Sequence, residues 1–140
     1  MKYLLDTNAV LYILQGKGNF EFLEEEETFF LSFITNIELL AFARDKEKAI
    51  IKQFINLCET IFIEETWLEE VIEIRQKLRL KIPDAIIAAT AKNEQAVLIT
   101  ADKEMIKKVK KIGTAVINPL DLSLQWYHLM FCEMKKEHSF

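Results

Sequence analysis

The sequence predicts an α/β fold in three layers, with a parallel sheet of about five strands between helices. Three observations carry this expectation. Short apolar runs recur along the chain, and they are continuously apolar instead of alternating, as strands buried on both faces are. Longer segments with helical periodicity separate them, the connection that parallel strands require. The chain has 140 residues, 51% of them hydrophobic. That length suits one domain with its own core, and this apolar content offsets the entropy of ordering, which excludes disorder.

Taken in order, Tyr3-Leu4-Leu5 reads as a short buried strand ending at Asp6, followed by a helix through about Gln15 that stops at Gly16-Lys17-Gly18. Phe20 to Glu27 reads as a short acidic helix whose run Glu24 to Glu27 is a solvated face. Phe29 to Ile34 is the second strand; a helix starts near Thr35 and covers Ile37, Leu40, Ala41 and Arg44, and another runs from Lys46 to about Leu57. Thr60 to Ile63 is the third strand. Trp67, Val71, Ile74 and Leu78 recur at helical spacing over Glu65 to Leu80, and Pro83 suits the first position of a helix running to about Asn93. Ala96 to Thr100 is the fourth strand. A lysine-rich helix from Lys103 to Ile112 follows and is closed by Gly113, and Thr114 to Ile117 is the fifth strand, ended by Asn118-Pro119.

Residues 1–120 thus form one α/β domain. Residues 121–140 are expected to be a helical tail in which Trp126, Leu129, Met130 and Met134 make one apolar stripe, packed on the domain or at an interface. No run approaches 18 apolar residues and the start lacks a signal-peptide pattern, so no membrane span is expected. Two cysteines, Cys58 and Cys132, make no disulfide framework, which suits a reducing cytoplasm.

Scarcity narrows the chemistry. With only Gly16, Gly18 and Gly113, neither GxxxxGK[ST] nor GxGxxG is present. His128 and His138 lie in the last 13 residues, which excludes a histidine acid/base pair or a His/Cys zinc site in the main body. Ser32, Ser123 and Ser139 stand in no nucleophile-elbow context. Carboxylate remains: 17 Glu and five Asp. Some 18 of these 22 acids, nearly all Glu, read as helix surface and caps. The other four fall on one rim of the expected sheet, outside the carboxyl ends of the strands, where such folds bind ligands.

Those four are Asp6, directly after the first strand; Glu38, in the first turn of the helix after the second; Asp84, beside Pro83 at a helix start; and Asp102, after the fourth strand. Each also has a bland account. Thr35-x-x-Glu38 fits a capping box, Asp84 complements a helix dipole, and Asp102 suits an N-cap. Asp6, ending a buried strand, is the hardest to dismiss. If all four converge, their charges require either protonation or a divalent cation. Oxygen ligands alone suit Mg²⁺ or Mn²⁺, which serve phosphodiester chemistry.

Five segments in order carry a resemblance: Leu4-Leu5-Asp6-Thr7-Asn8; Ile34-Thr35-Asn36-Ile37-Glu38-Leu39; Ile82-Pro83-Asp84-Ala85-Ile86-Ile87-Ala88-Ala89-Thr90-Ala91; Leu98-Ile99-Thr100-Ala101-Asp102-Lys103; and Ile117-Asn118-Pro119. Over about residues 2 to 119 the chain resembles the PIN-domain ribonucleases, and within them the VapC toxins of toxin–antitoxin pairs. The resemblance implies the three-layer PIN-like fold. It implies that Asp6, Glu38, Asp84 and Asp102 are the metal-binding acidic set. Thr7, Asn8 and Thr100 would be polar residues that orient the acids or the attacking water. It also implies Mg²⁺ or Mn²⁺ as cofactor and single-stranded or loop RNA as substrate, a tRNA or an rRNA loop in many toxins. The partners implied are an antitoxin whose C-terminal arm covers the active site, and a second copy of the chain in a homodimer.

The chain departs from the family in three places. Ala101 stands where Asn, Asp or Ser is frequent, Met105 replaces an aromatic, and 21 residues follow Pro119.

The net charge of −4 is not that of a general nucleic-acid binder, so attraction for phosphate must be local. Lys103, Lys107, Lys110 and Lys111 lie along one side of their helix, with Met105, Val109 and Ile112 inward. That strip is either a solvated surface or a contact for substrate backbone. Other acid-based classes fit less well. A phosphoacceptor receiver would need an Asp after the third strand, where Glu64-Glu65 stand, and a DxDxT phosphatase fails at Thr7-Asn8-Ala9. The remaining alternative is an inactive PIN-fold module that binds RNA or protein.

Overall fold

The computed structural model describes residues 1–20 and 27–120. Five parallel strands form one sheet: β1 (Tyr3–Leu5), β2 (Phe29–Ser32), β3 (Glu59–Ile61), β4 (Val97–Ile99) and β5 (Val116–Ile117). Their order is β3-β2-β1-β4-β5. The central β1 pairs Leu4 with Phe30 on one side and with Leu98 on the other. Six helices surround the sheet: α1 (Thr7–Leu14), α2 (Phe33–Phe42), α3 (Asp45–Leu57), α4 (Leu68–Leu78), α5 (Ile82–Asn93) and α6 (Lys103–Lys110). A 3₁₀ turn, Glu65–Trp67, leads into α4.

Period-two alternation along the strands splits the core in two. Leu4, Phe30 and Leu98 face α4, α5 and α6 with Val71, Ile74, Leu78, Ile87, Met105 and Val109. Tyr3, Leu5, Leu31, Val97, Ile99 and Ile117 face the other way, onto Ala9, Val10, Leu39 and Ile51 of α1, α2 and α3. This is the three-layer arrangement expected. Helix α5 is buried continuously from Ala85 to Ala91, and its four alanines let its backbone lie close to the sheet.

Several boundaries differ from the sequence expectation. Strand β2 ends at Ser32, and α2 begins at Phe33 instead of near Thr35. The cap is Ser32, whose Oγ accepts from the Ile34 N–H at 3.2 Å. Thr35 is buried inside the helix, and its hydroxyl finds no hydrogen-bond partner among the described residues. The buried apolar residue of α2 is Leu39, whereas Ile37 is exposed. Lys81 caps α5, so Pro83 occupies its second position. The expected Phe20–Glu27 helix falls mainly, and the 121–140 tail wholly, outside the described residues. Among the described residues no helix is long and apolar enough to cross a membrane.

Candidate active site

The strand order reverses at β1: β2 and β3 lie to one side, β4 and β5 to the other. Connections from neighbouring strands leave in opposite directions there, which opens a crevice beyond their carboxyl ends. Asp6 ends β1 at this crevice, with its N–H donating to Ile99 O of β4 at 3.0 Å. Thr100, the residue after β4, stands beside it.

A dense polar network holds the Asp6 carboxylate, which is only 7% exposed. Its Oδ1 accepts from the Thr7 N–H at 2.8 Å, so Asp6 also caps α1. Its Oδ2 accepts from Thr100 Oγ1 at 2.8 Å and from Asn8 Nδ2 at 3.2 Å. Asn8 Nδ2 also reaches Thr100 Oγ1 at 3.1 Å, and the Asp102 N–H donates to that same hydroxyl at 3.2 Å. The fully buried Thr100 hydroxyl therefore donates once and accepts twice, its whole capacity. Asn8 Oδ1 accepts from the Ala101 N–H at 2.9 Å. At the position where the resemblance leads one to expect a polar side chain, this chain uses backbone.

The other three acids border the same crevice. Glu38 Oε1 accepts from Thr7 Oγ1 at 3.3 Å, which ties α2 to α1. Glu38 is the sixth residue of α2, in its second turn, so the capping-box account of it does not hold. Asp84 lies in the first turn of α5 and is half-buried. Asp102 does cap α6: its Oδ1 accepts from the N–H groups of Glu104 at 3.0 Å and Met105 at 3.2 Å. Capping and site membership coexist here, because a helix that starts at the carboxyl end of a strand points its N-terminus at the crevice.

Electrostatics link the four. Burial pushes the Asp6 carboxyl up to about 6; hydrogen bonds from Thr100 and Thr7 oppose this, and the charges of Asp84 and Glu38 add to it. Asp84 is raised by burial and by the charge of Asp102, and lowered by Lys81 and Lys108. Asp6, Glu38, Asp84 and Asp102 thus share one field. Among the described residues no three carboxylates close round a common point as a ready-made ion cage. The donors these four residues offer are oxygen only, the chemistry that a hard divalent ion takes. Thiol chemistry is excluded at Cys58, whose thiol is pushed up to about 11 by burial.

Lys81 and Lys108 were not among the residues singled out in the sequence. Lys81 occupies a helix N-cap, where a cation opposes the macrodipole and Ser, Thr, Asp or Asn is preferred. That misplacement is a readable signal. Lys103, Lys107, Lys110 and Lys111 are all exposed, on the side of α6 away from buried Met105 and Val109. Of the α6 lysines, it is Lys108 whose charge reaches Asp84.

Comparison with known proteins agrees with this fold. No curated protein matches the chain. Among solved structures, VapBC2 from Rickettsia felis bound to a DNA fragment from its promoter matches at 25% identity and a TM-score of 0.69, over 84% of this chain and 98% of that one. FitAcB from Neisseria gonorrhoeae matches at 25% identity and a TM-score of 0.68, over 86% and 99% of the two chains. A toxin–antitoxin complex from Klebsiella pneumoniae is 24% identical with a TM-score of 0.68, over 86% and 99%. A family model described as the PIN domain matches residues 3–112, and the chain belongs to that family.

Proposed function

We propose that this protein is a metal-dependent endoribonuclease and the toxin of a toxin–antitoxin pair. The observation that carries the reading is the gathering of Asp6, Glu38, Asp84 and Asp102 into one electrostatic field at the sheet's switch point. These four would hold one or two Mg²⁺ or Mn²⁺. A bound ion would act there as a Lewis acid on the phosphodiester and lower the pKa of a bound water.

The chain's own residues prepare that chemistry. Thr100, Asn8 and the Thr7 N–H hold the Asp6 carboxylate in one orientation, so no reorganisation is needed when charge develops. Thr7 Oγ1 holds Glu38 toward the same crevice. Asp102 spends Oδ1 on its helix and leaves Oδ2 without a partner among the described residues. Carboxylates of the set that do not hold the ion would align the attacking water and take its proton as the new P–O bond forms, and that proton would pass to the oxygen that leaves as the old P–O bond breaks.

An antitoxin partner is supported by solved structures that share the fold, among them a toxin–antitoxin complex, VapBC2 and FitAcB. A homodimer and a cytoplasmic site of action complete the reading. The test uses the purified chain with single-stranded RNA and Mn²⁺. We expect endonucleolytic cleavage that Asp84→Asn abolishes, and a rise in thermal stability as Mn²⁺ is added. Full activity in the Asp6→Asn, Asp84→Asn double variant refutes the assignment. Thermal stability unmoved at millimolar Mn²⁺ favours the alternative of an inactive module. Growth arrest on expression, relieved by a neighbouring antitoxin gene, is the matching result in cells.

A further inference from the structure

Beside the acids lies an open depression of about 360 Å³, lined by Arg75, Gln76, Arg79, Leu80 and Lys81 at the junction of α4 and α5. Three of the five lining residues are cations. Lys108 of α6 adds a fourth, since its Nζ donates to the Arg79 carbonyl at 3.2 Å. None of the four makes an ion pair with the described residues. Positive charge is thus concentrated at one junction of a chain of net charge −4. It also adjoins the acids: Lys81 lines the depression and acts on Asp84, as does Lys108.

The backbone reinforces this. Helix α4 ends at Arg79 in the left-handed conformation, φ 52° and ψ 45°, at a position where glycine is usual. Lys108 clamps the Arg79 carbonyl, so the turn that carries Arg79 and Lys81 past the acids is pinned to α6.

Resting on the reading of the acids as an RNA-cutting centre, we infer that the Arg75, Arg79, Lys81 depression binds the phosphate backbone of the RNA strand next to the scissile bond. Lys108 holds its rim. The exposed lysines Lys103, Lys107 and Lys110 are then solvated surface and not part of the track. A polyanion fits the observations better than an acidic side chain would. Three cations line the depression, one of them, Lys81, acts on Asp84 of the proposed centre, and the depression is open instead of shaped to one small ligand.

The experiment measures binding of a short, unstructured, fluorescein-labelled RNA to the full chain by anisotropy, in EDTA so that nothing is cleaved, from 50 to 200 mM salt. Each phosphate contact on a single strand contributes about 0.7 to the slope of log K against log salt, a factor of about 2.6 over that range. The variant Arg75→Gln, Arg79→Gly, Lys81→Gln should lose about 2 from the slope, so its salt-induced weakening shrinks about 18-fold. It should also bind more weakly at 50 mM. Lys103→Gln, Lys107→Gln, Lys110→Gln should keep the wild-type slope. Circular dichroism melts establish that both variants are folded. An unchanged slope in the first variant overturns the inference, as does loss of slope in the second, or no RNA binding by the wild type. Binding through the depression without cleavage in Mn²⁺ would uphold the inference and refute the nuclease reading.

Discussion

Replacing Asp6 by asparagine should stabilise the metal-free protein at neutral pH. The Asp6 carboxyl is buried and its pKa rises from 3.8 to about 6 on folding. The folded state therefore binds this proton more tightly than the unfolded one. Below about pH 4 both states are protonated and the group costs nothing. Between about 4 and about 6 stability falls as pH rises, and above about 6 the full penalty stands. Two pH units at 1.36 kcal/mol each make that penalty about 3 kcal/mol.

Asparagine removes it but does not recover all of it. Its Oδ1 still accepts from the Thr7 N–H, but an amide NH₂ replaces Oδ2, facing Asn8 Nδ2 and a Thr100 hydroxyl whose acceptor sites are taken. Each hydrogen bond lost there costs about 1 kcal/mol, so a net gain of about 1–2 kcal/mol is expected at pH 7.5. The assay is urea unfolding of both proteins in EDTA from pH 4.5 to 8. The advantage of Asp6→Asn should grow from pH 4.5 to about pH 6.5 and then level off. Mn²⁺ should reverse the order, because an ion that binds only folded wild type at 100 times its Kd adds about 2.7 kcal/mol. An Asp6→Asn protein less stable than wild type at pH 7.5 in EDTA, or a difference independent of pH, would refute the electrostatic account.

Two further substitutions probe the frame of the site. Arg79→Gly should raise the urea midpoint with an unchanged m-value, a gain of about 0.5–1 kcal/mol. It relieves a left-handed backbone that costs about 1–2 kcal/mol with a side chain present, less glycine's extra entropy when unfolded; a lower midpoint would show that the arginine side chain packs natively. Ser32→Ala removes the buried cap of α2, the helix that carries Glu38, and should cost about 1 kcal/mol, or about 4 °C in Tm. A variant melting with wild type would mean that the Ile34 N–H finds another acceptor.

The class of fold is written locally. Tyr3-Leu4-Leu5, Val97-Leu98-Ile99 and Val116-Ile117 are apolar at every position, which only a sheet covered on both faces accommodates. The helices are legible for the same reason, since Val71, Ile74 and Leu78 repeat at the helical period and are all buried. Ends are less legible where two signals overlap. Phe33-Ile34 continues the apolar run of β2, so the strand reads two residues too long, and the capping role of Ser32, its last residue, is hidden.

Three of the four acids were likewise legible as residues, because Asp6 ends a strand and Asp84 and Asp102 stand where a helix begins, whereas Glu38 lies in the second turn of α2, away from the cap its Thr35-x-x-Glu38 spacing suggested. What links the four electrostatically was not. Strand order depends on pairing between distant segments, and only β3-β2-β1-β4-β5 brings the Thr100 hydroxyl to Asp6 across 94 positions of chain. The same tertiary step decided which lysines matter to Asp84. A helical repeat separates the inner face of α6 from its outer face, but that Lys108 lies against the end of α4, and Lys81 beside the acids, follows from how α4, α5 and α6 pack on the sheet. Side-chain chemistry and periodicity are properties of neighbours in sequence. A field shared by four carboxylates and two ammonium groups is a property of distances, and those exist only once the chain has closed on itself.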